Sequence, residues 1–469
     1  MHISRRRYLG GTACVLAALQ PLRAMAQFRI VTPEEFGARG DGRSNDTAAF
    51  AAMTAFVNSH GGGKIQLRPT TYIVGRQTRA SEQGEGYAFE PAPIMDFRGC
   101  KLPLVLRGNG ARLRCAPALK YGTFDRATGC ATHHSVPSYR GNELATPYRA
   151  MIHVEECSDE VDISELELDG NLGALEIGGR YGDVGWQIPA IGIHLINNRG
   201  PERLSHIHAH HHALDGVLID GSSERAIATS FQHVRCQFNG RQGCSIVGGR
   251  NYKFSDCDFS ASGKGRISSA PGAGVDVEAE AGKPIRNLSF LRCTFSNNSG
   301  VGLLADGGDS KDAVFEHCTF IGTTSWAAWP NRPRFRFSGC TFVGPIVHAF
   351  GDEDRQRACQ FHECTFLDDP KLSPNGEVYG GGNPSRPIAD LSANPNVLFD
   401  RCKFRLTHRA VLPWTTNVVT FANCTMTQLA PARSYPRGTF VGRNIIVGNV
   451  DLYSARFEGE VIVNGRKVH

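Results

Sequence analysis

The sequence predicts an all-β chain, a solenoid of parallel coils entered through one α-helix. Three observations predict it. A Cys-x-Phe motif recurs at intervals mostly in the low twenties. Five further segments each open on glycine and then alternate apolar with variable positions. One stretch near the N-terminus places its apolar residues at helical spacing. Fixed-period self-similarity is the mark of a solenoid, and it replaces the roughly three domains that 469 residues would otherwise suggest. A hydrophobic content of 41% against 20% charged excludes a disordered chain. No apolar run reaches the roughly 20 residues of a membrane span.

The first 26 residues read as an address. Ser4-Arg5-Arg6-Arg7-Tyr8-Leu9 resembles a twin-arginine export signal, a short apolar stretch follows, and Ala24-Met25-Ala26 offers a small-x-small cleavage site. The expected location is periplasmic or secreted. Removing this segment deletes Arg5, Arg6, Arg7 and Arg23 and no acid, so the formal charge falls from +6 to +2. A nucleic-acid partner would call for a strong basic surplus, so none is expected.

The remainder, 27–469, is expected to be one domain, with a cap over 27–75 and regular coils over 151–469. Asn45 or Asp46 can cap a helix in which Phe50, Met53 and Val57 share a face, and Gly61-Gly62-Gly63 ends it. Lys64-Ile65-Gln66-Leu67 then alternates like a strand. The preceding loop, Phe36-Gly37-Ala38-Arg39-Gly40-Asp41-Gly42, lacks the spacing of a phosphate cradle. Together with Asn45-Asp46-Thr47, Gly61–Gly63 and Pro69-Thr70-Thr71-Tyr72, it resembles the N-terminal signature of the epimerase-like pectate lyase superfamily. Asn45 and Thr71 depart from that pattern. The resemblance covers about 40 residues. It implies a right-handed parallel β-helix, pectin-lyase-like, whose N-terminal mouth is plugged by the helix, and it carries no catalytic residue. Two catalytic motifs of β-helix enzymes, the paired-Asp, GHG and RIK set and the YGFDPH motif, are absent.

The recurring motif runs Cys236-Gln237-Phe238, Cys257-Asp258-Phe259, Cys293-Thr294-Phe295, Cys318-Thr319-Phe320, Cys340-Thr341-Phe342, Cys364-Thr365-Phe366, Cys402-Lys403-Phe404 and Cys424-Thr425-Met426. Successive Cys positions differ by 21, 36, 25, 22, 24, 38 and 22, so insertions fall near 264–272 and 371–396. Residues two apart on a strand share a face, so Cys should stack on Cys and Phe on Phe inside the core. No CxxC pair exists, which argues against zinc, and a buried thiol serves as a small hydrophobe.

The glycine-led strands carry the candidate chemistry. They read Gly192-Ile193-His194-Leu195-Ile196, Gly216-Val217-Leu218-Ile219-Asp220, Gly243-Cys244-Ser245-Ile246-Val247, Gly274-Val275-Asp276-Val277-Glu278 and Gly302-Leu303-Leu304-Ala305-Asp306. The first and third positions after glycine are apolar throughout and must point inward. The second and fourth then form two outward columns. Asp276 and Glu278 share the outer face of one strand, about 6.6 Å apart, with Asp306 one coil beyond and Asp220 two coils back. Asp215 sits at a strand entrance, and Arg241-Gln242 lead into the next. His208, His210, His211 and His212 are expected in a loop edging this cluster, donating hydrogen bonds rather than holding a metal. Tyr181 and Trp186, in a Gly-rich loop with Gly182-Asp183, and Trp326 with Trp329 can serve as stacking platforms for sugars.

Glycoside hydrolysis needs one protonated and one charged carboxyl group, and crowded carboxylates raise one another's pKa. The expected function is therefore an exported enzyme that cleaves a polysaccharide. Asp276 and Glu278 would act as acid, base or nucleophile, with Asp306 and Asp220 as modulators. Arg241 would contact an anionic group, and Asp215, Gln242, His194, His212, Trp186, Trp326 and Trp329 would bind substrate. The alternatives are a uronate lyase, with Ca²⁺ held by the carboxylates and Arg241 or a His as base, and a non-catalytic glycan-binding or adhesive β-helix. No other cofactor is expected.

Overall fold

Nearly every strand pairs in parallel with the equivalent strand one coil away, which gives three ladders running along the molecule. The computed structural model describes residues 29–81, 86–133, 143–181, 184–221, 228–380, 386–391, 394–415 and 419–469, so residues 1–26, expected to be an export signal, lie outside the described residues. Ladder I runs through Met95–Arg98, Ala150–Glu155, Ile191–Ile196, Asp215–Asp220 and the first part of Gln242–Ser255. It continues through Val275–Val277, Leu303–Ala305 and Ala328–Pro330. Ladders II and III are the two halves of a bent strand. In Val161–Asp169, Glu202–His210 and Thr229–Gln237 the bend falls at a single left-handed residue, Glu165, His206 and His233, and in Leu104–Cys115 at two, Asn109 and Gly110. The αL conformation turns the chain through the corner without a loop, and short polar residues and His tolerate it best.

The Cys-x-Phe repeats supply ladder III, with one correction. Cys236 pairs with Phe259, so Val234 stands where the other coils have cysteine, and Cys236 occupies the Phe column. Phe238 lies past the strand at φ 55° and is 40% exposed. The proximity of Cys236 to the next Cys mimicked a repeat that is out of register by two residues. The seven cysteines of the motif from Cys257 to Cys424, which leave out Cys359, are buried and form the column. Each thiol also donates to a carbonyl on the preceding coil, as Cys318 does to Phe290 (3.4 Å) and Cys402 to Phe361 (3.2 Å). A small residue with a weak donor is what that corner takes. Phe295, Phe320, Phe342, Phe366 and Phe404 stack at 4.6–4.9 Å. A second aromatic column, Phe231, Phe254, Phe290, Phe315, Phe337, Phe361 and Phe399, rises through ladder II at 4.5–5.0 Å and meets the first edge to face. Each ring pair contributes about 0.5–1.5 kcal/mol beyond the area it buries.

The helix Thr47–Ser59 plugs the N-terminal end. It buries Phe50, Met53 and Val57, and Phe50 meets Tyr72 edge-on at 5.2 Å. Asp46 stands at the N-cap position but spends its carboxylate on the amides of Arg39 (2.8 Å) and Gly40 (3.1 Å), fastening the glycine-rich loop to the helix. Asn45 accepts from the Thr47 amide instead (3.1 Å). The coils begin earlier than residue 151: Gly63–Gln66 and Thr71–Val74 already pair with Leu104–Cys115. Among the described residues, a small second sheet built from Gln77–Arg79, Phe89–Pro91, Lys120–Thr123, Leu144–Ala145 and Glu176–Gly178 accompanies the first coils. The expected insertion 371–396 contains the ladder I strand Ala389–Leu391, and the long connections, including those that hold 264–272 and 371–380, leave the coil between ladder III and ladder I. That is the side on which the outer face of ladder I lies.

Candidate functional site

Ladder I keeps the register expected of the glycine-led strands through their first outward column, and a bulge after Ile219 then pairs Asp220 with Gly248 in place of the expected Val247. Ile193, Val217, Cys244, Val275 and Leu303 pair in succession, so His194, Leu218, Ser245, Asp276 and Leu304 form one outward column. Glycine opens these strands because the coils touch there. A Cβ on Gly243 would lie 2.6 Å from the carbonyl oxygen of Gly274, and one on Gly274 would lie 2.6 Å from that of Gly302.

Around Ser245 the outward groups form a buried hydrogen-bonded chain. Arg241 donates to both oxygens of Asp215, Nε to Oδ1 at 2.8 Å and Nη2 to Oδ2 at 2.5 Å, and reaches Gln187 with Nη1 (3.0 Å). The single hydroxyl proton of Ser245 lies between Asp215 Oδ2 (2.8 Å) and the side-chain oxygen of Gln242 and serves one of them at a time. Gln242 Nε2 then donates to Asp276 Oδ2 at 2.6 Å. Asp276 Oδ1 is buried and has no hydrogen-bond partner. Burial, and after it the charge of Glu278, pushes the Asp276 carboxyl up to about 7, against the smaller opposing pull of Arg241 and Gln242. Asp276 is therefore a carboxyl group close to half protonated at neutral pH, with one oxygen uncommitted.

A cleft of 530 Å³ begins beside this chain and runs towards the N-terminal coils. Leu218, His194, His153 and Asp96 are successive residues of the ladder I column that form its floor, and Arg98 and Arg149 stand on its rim. His153 and His194 meet edge-on at 5.3 Å. Burial, then the neighbouring His153, lowers the His194 imidazole to about 3, so it is neutral at pH 7. Asp96, Arg98, Arg149 and His153 escaped the sequence reading because their strands lack the leading glycine, Met151 standing in that position beside His153. Their alternation, Met95-Asp96-Phe97-Arg98 and Ile152-His153-Val154-Glu155, was the available signal.

Other expected residues are placed differently. Glu278 and Asp306 are exposed beyond Asp276, and Asp306 accepts from Asn331 Nδ2 (3.0 Å). Asp220 is drawn to Lys283 (2.7 Å). The Arg241 guanidinium is filled by Asp215 and Gln187 and so is not free for substrate. His212 points into the core: it is fully buried, its Nδ1 bonds the Tyr148 hydroxyl (2.9 Å), and burial lowers it to about 3. His208 and His210 lie on a strand of ladder III, on another face of the solenoid, and not in a loop beside the cleft. They do have acidic neighbours, Glu167 and Asp169 from the adjacent coil, because strand pairing brings together residues that the sequence keeps about 40 apart. Trp186 is half-buried against Tyr181 at 5.0 Å, and Gly182-Asp183 lie outside the described residues. Trp329 is two strands beyond Asp276 in the same outward column. It forms an aromatic group with Trp326 (5.5 Å) and His348 (4.8 Å), and Trp326 in turn meets Tyr379 (5.3 Å). Among the described residues, groups of three or more His, Cys, Asp or Glu side chains close enough to share a metal ion occur on ladder III and not among the ladder I carboxylates.

Comparison with known proteins places residues 191–366 in a family model described as a right-handed β-helix region. A 72-residue segment, 15% of this chain, is 40% identical to the capsule KN3-specific depolymerase 1 of Klebsiella phage KN3-1, and spans only 9% of that protein's length. Among solved structures, the A-module of a mannuronan C-5 epimerase from Azotobacter vinelandii is 14% identical with a TM-score of 0.44, over 92% of this chain and 97% of that one. A tailspike capsular polysaccharide depolymerase of Acinetobacter baumannii bacteriophage Fri1 is 13% identical with a TM-score of 0.41, over 90% and 63% of the two chains. The surface adhesin PfbA of Streptococcus pneumoniae is 11% identical with a TM-score of 0.38, over 92% and 91%.

Proposed function

We propose that this chain, whose coils stack as a parallel β-helix, is an enzyme that acts on a polysaccharide along the outer face of ladder I and cleaves a glycosidic bond there. The observation that carries this reading is Asp276, a buried carboxyl raised to about 7, with one oxygen unpartnered, on the face that continues into the cleft. Glycoside cleavage needs a carboxyl that still holds its proton near neutrality to protonate the leaving oxygen, and a second carboxylate within several ångströms. Asp276 is the proton donor. Glu278, two residues on and just past the end of the strand, is the second carboxylate. Gln242 fixes one oxygen of Asp276, and Asp215 with Arg241 positions Gln242 through Ser245. The sugar chain extends from Leu218 and His194 across Asp276 towards Trp329.

A uronate lyase is the second reading, favoured by the two histidines on the floor of the cleft. Arg98 and Arg149 on its rim are paired with Asp96 and Glu155 and with Glu90, so a uronate would compete for them or be neutralised by a cation at the carboxylates. The short segment shared with a capsule depolymerase agrees with either form of cleavage. Export by the twin-arginine route is part of the proposal and rests on the N-terminal sequence alone.

Incubating the full chain with neutral and uronate-containing polysaccharides tests the proposal. New reducing ends without an ultraviolet-absorbing product mean hydrolysis, and an unsaturated uronate means elimination. Retention without cleavage, equal in wild type and Asp276→Asn, would remove the enzyme reading and leave a glycan binder.

A further inference from the structure

Ladder III carries a second cluster that the proposed cleavage does not use. Glu167 and Asp169 end one strand, and His208 and His210 lie directly beside them on the next coil. His210 is 6% exposed and has a partner at each ring nitrogen. Its Nε2 lies 3.0 Å from Glu167 Oε1, and its Nδ1 lies 2.7 Å from His211 Nδ1 and 3.8 Å from Asp169 Oδ1. The carboxylate at Nε2 selects the tautomer with the proton on that side, which leaves the Nδ1 lone pair facing His211 and Asp169. Adjacent residues of a strand normally face opposite sides. His211 has φ 55°, and this left-handed turn breaks the alternation and brings its ring beside that of His210.

Asp169 is prepared in the same sense. The arginines take its other oxygen, Arg112 at 2.6 Å and Arg114 at 3.4 Å from Oδ2, while Oδ1 accepts the Asn171 amide (2.8 Å) and stays turned towards His210. Donor atoms around a zinc-sized ion sit about 3–3.5 Å apart when each bond is about 2.0–2.2 Å. The observed 2.7 and 3.8 Å separations bracket that spacing, so small ring rotations would admit an ion. A histidine whose far nitrogen is held by a carboxylate is the usual outer shell of such a site.

We propose that Asp169, His210 and His211 bind a borderline divalent transition-metal ion, of the zinc or cobalt class, with Glu167 orienting His210 from outside. Two neighbouring coils contribute ligands, so the ion is a clamp between them. Imidazole with carboxylate suits this class over calcium.

Cobalt(II) titrated into the metal-stripped full chain should give visible ligand-field absorption that saturates at one equivalent, with a rise in melting temperature, and zinc should bleach it. His211→Asn, which keeps a residue suited to the left-handed turn, should abolish saturation. Glu167→Gln should weaken binding about 10–100-fold. His206→Asn, at an exposed position of the same strand, should change nothing. Absorption that never saturates, or that survives His211→Asn, overturns the assignment. Loss in His208→Asn with retention in His211→Asn moves the ion to Glu167, His208 and His210 and equally rejects this site. His210→Gln is interpretable only when its melt shows a folded chain, and His211→Asn decides without it.

Discussion

Asp276 and Asp169 are nearly the same residue in the same setting. Both lie on the outer face of a ladder strand, and they are 5% and 4% exposed. Yet one carboxyl is raised to about 7 and the other is held below its ordinary value. Burial raises both, so burial does not make the difference. Asp169 faces the Asn171 amide, His210 and Arg112, which together outweigh its desolvation. Asp276 faces Glu278, one neutral amide and a guanidinium already committed to Asp215. On a scaffold that repeats its coils, the neighbours two residues on, together with those one coil away, decide whether a buried acid is a structural ion or a proton donor.

The largest expected effect tests the donor half of this contrast. Asp276→Asn should lower turnover by about 10²–10⁴-fold, the range for losing a general acid, with little change in melting temperature near pH 4, where wild-type Asp276 keeps its proton. Turnover within a few-fold of wild type would remove Asp276 from the chemistry. Arg112→Ala tests the other half. It strips Asp169 of a partly exposed partner and should destabilise the chain by about 1–3 kcal/mol in denaturant unfolding. No loss would mean that the Asn171 amide and His210 suffice.

The pH dependence of stability sharpens the comparison. Between the unfolded value near 3.8 and the folded value near 7, folded Asp276 binds more protons than unfolded Asp276. Stability contributed by this group therefore falls as pH rises through that window, by about 1.4 kcal/mol per pH unit at the steepest, and stays low above it. Asp276→Asn should lose this fall, so its melting temperature relative to wild type should rise from pH 4 to pH 8. A constant difference would mean that Asp276 is not perturbed. The smallest effect is expected from Gln242→Leu. It removes one hydrogen bond to the Asp276 carboxylate and should shift the alkaline limb of the rate profile upward by a fraction of a pH unit, a shift opposite to the one that added positive charge would give.

The solenoid was legible in the sequence because its signal is periodic. Parity along five glycine-led strands predicted which side chains face outward, and glycine marked the register because a Cβ there would strike the next coil. The Cys and Phe columns were legible for the same reason, except at Cys236, where a chance spacing imitated the repeat. What the sequence by itself determined is therefore which residues point out and which coil each belongs to. The tertiary structure decided what each outward residue meets. Asp215, Gln187 and Gln242 come from different coils and loops and converge on one chain of hydrogen bonds. His212 turns inward past a corner, and His211 turns outward at another. Glu167 and His210 become neighbours across 43 positions. Strand alternation is a local property, fixed by two bonds per residue. Contact between coils depends on loop lengths and left-handed corners, which change register without leaving a period to read.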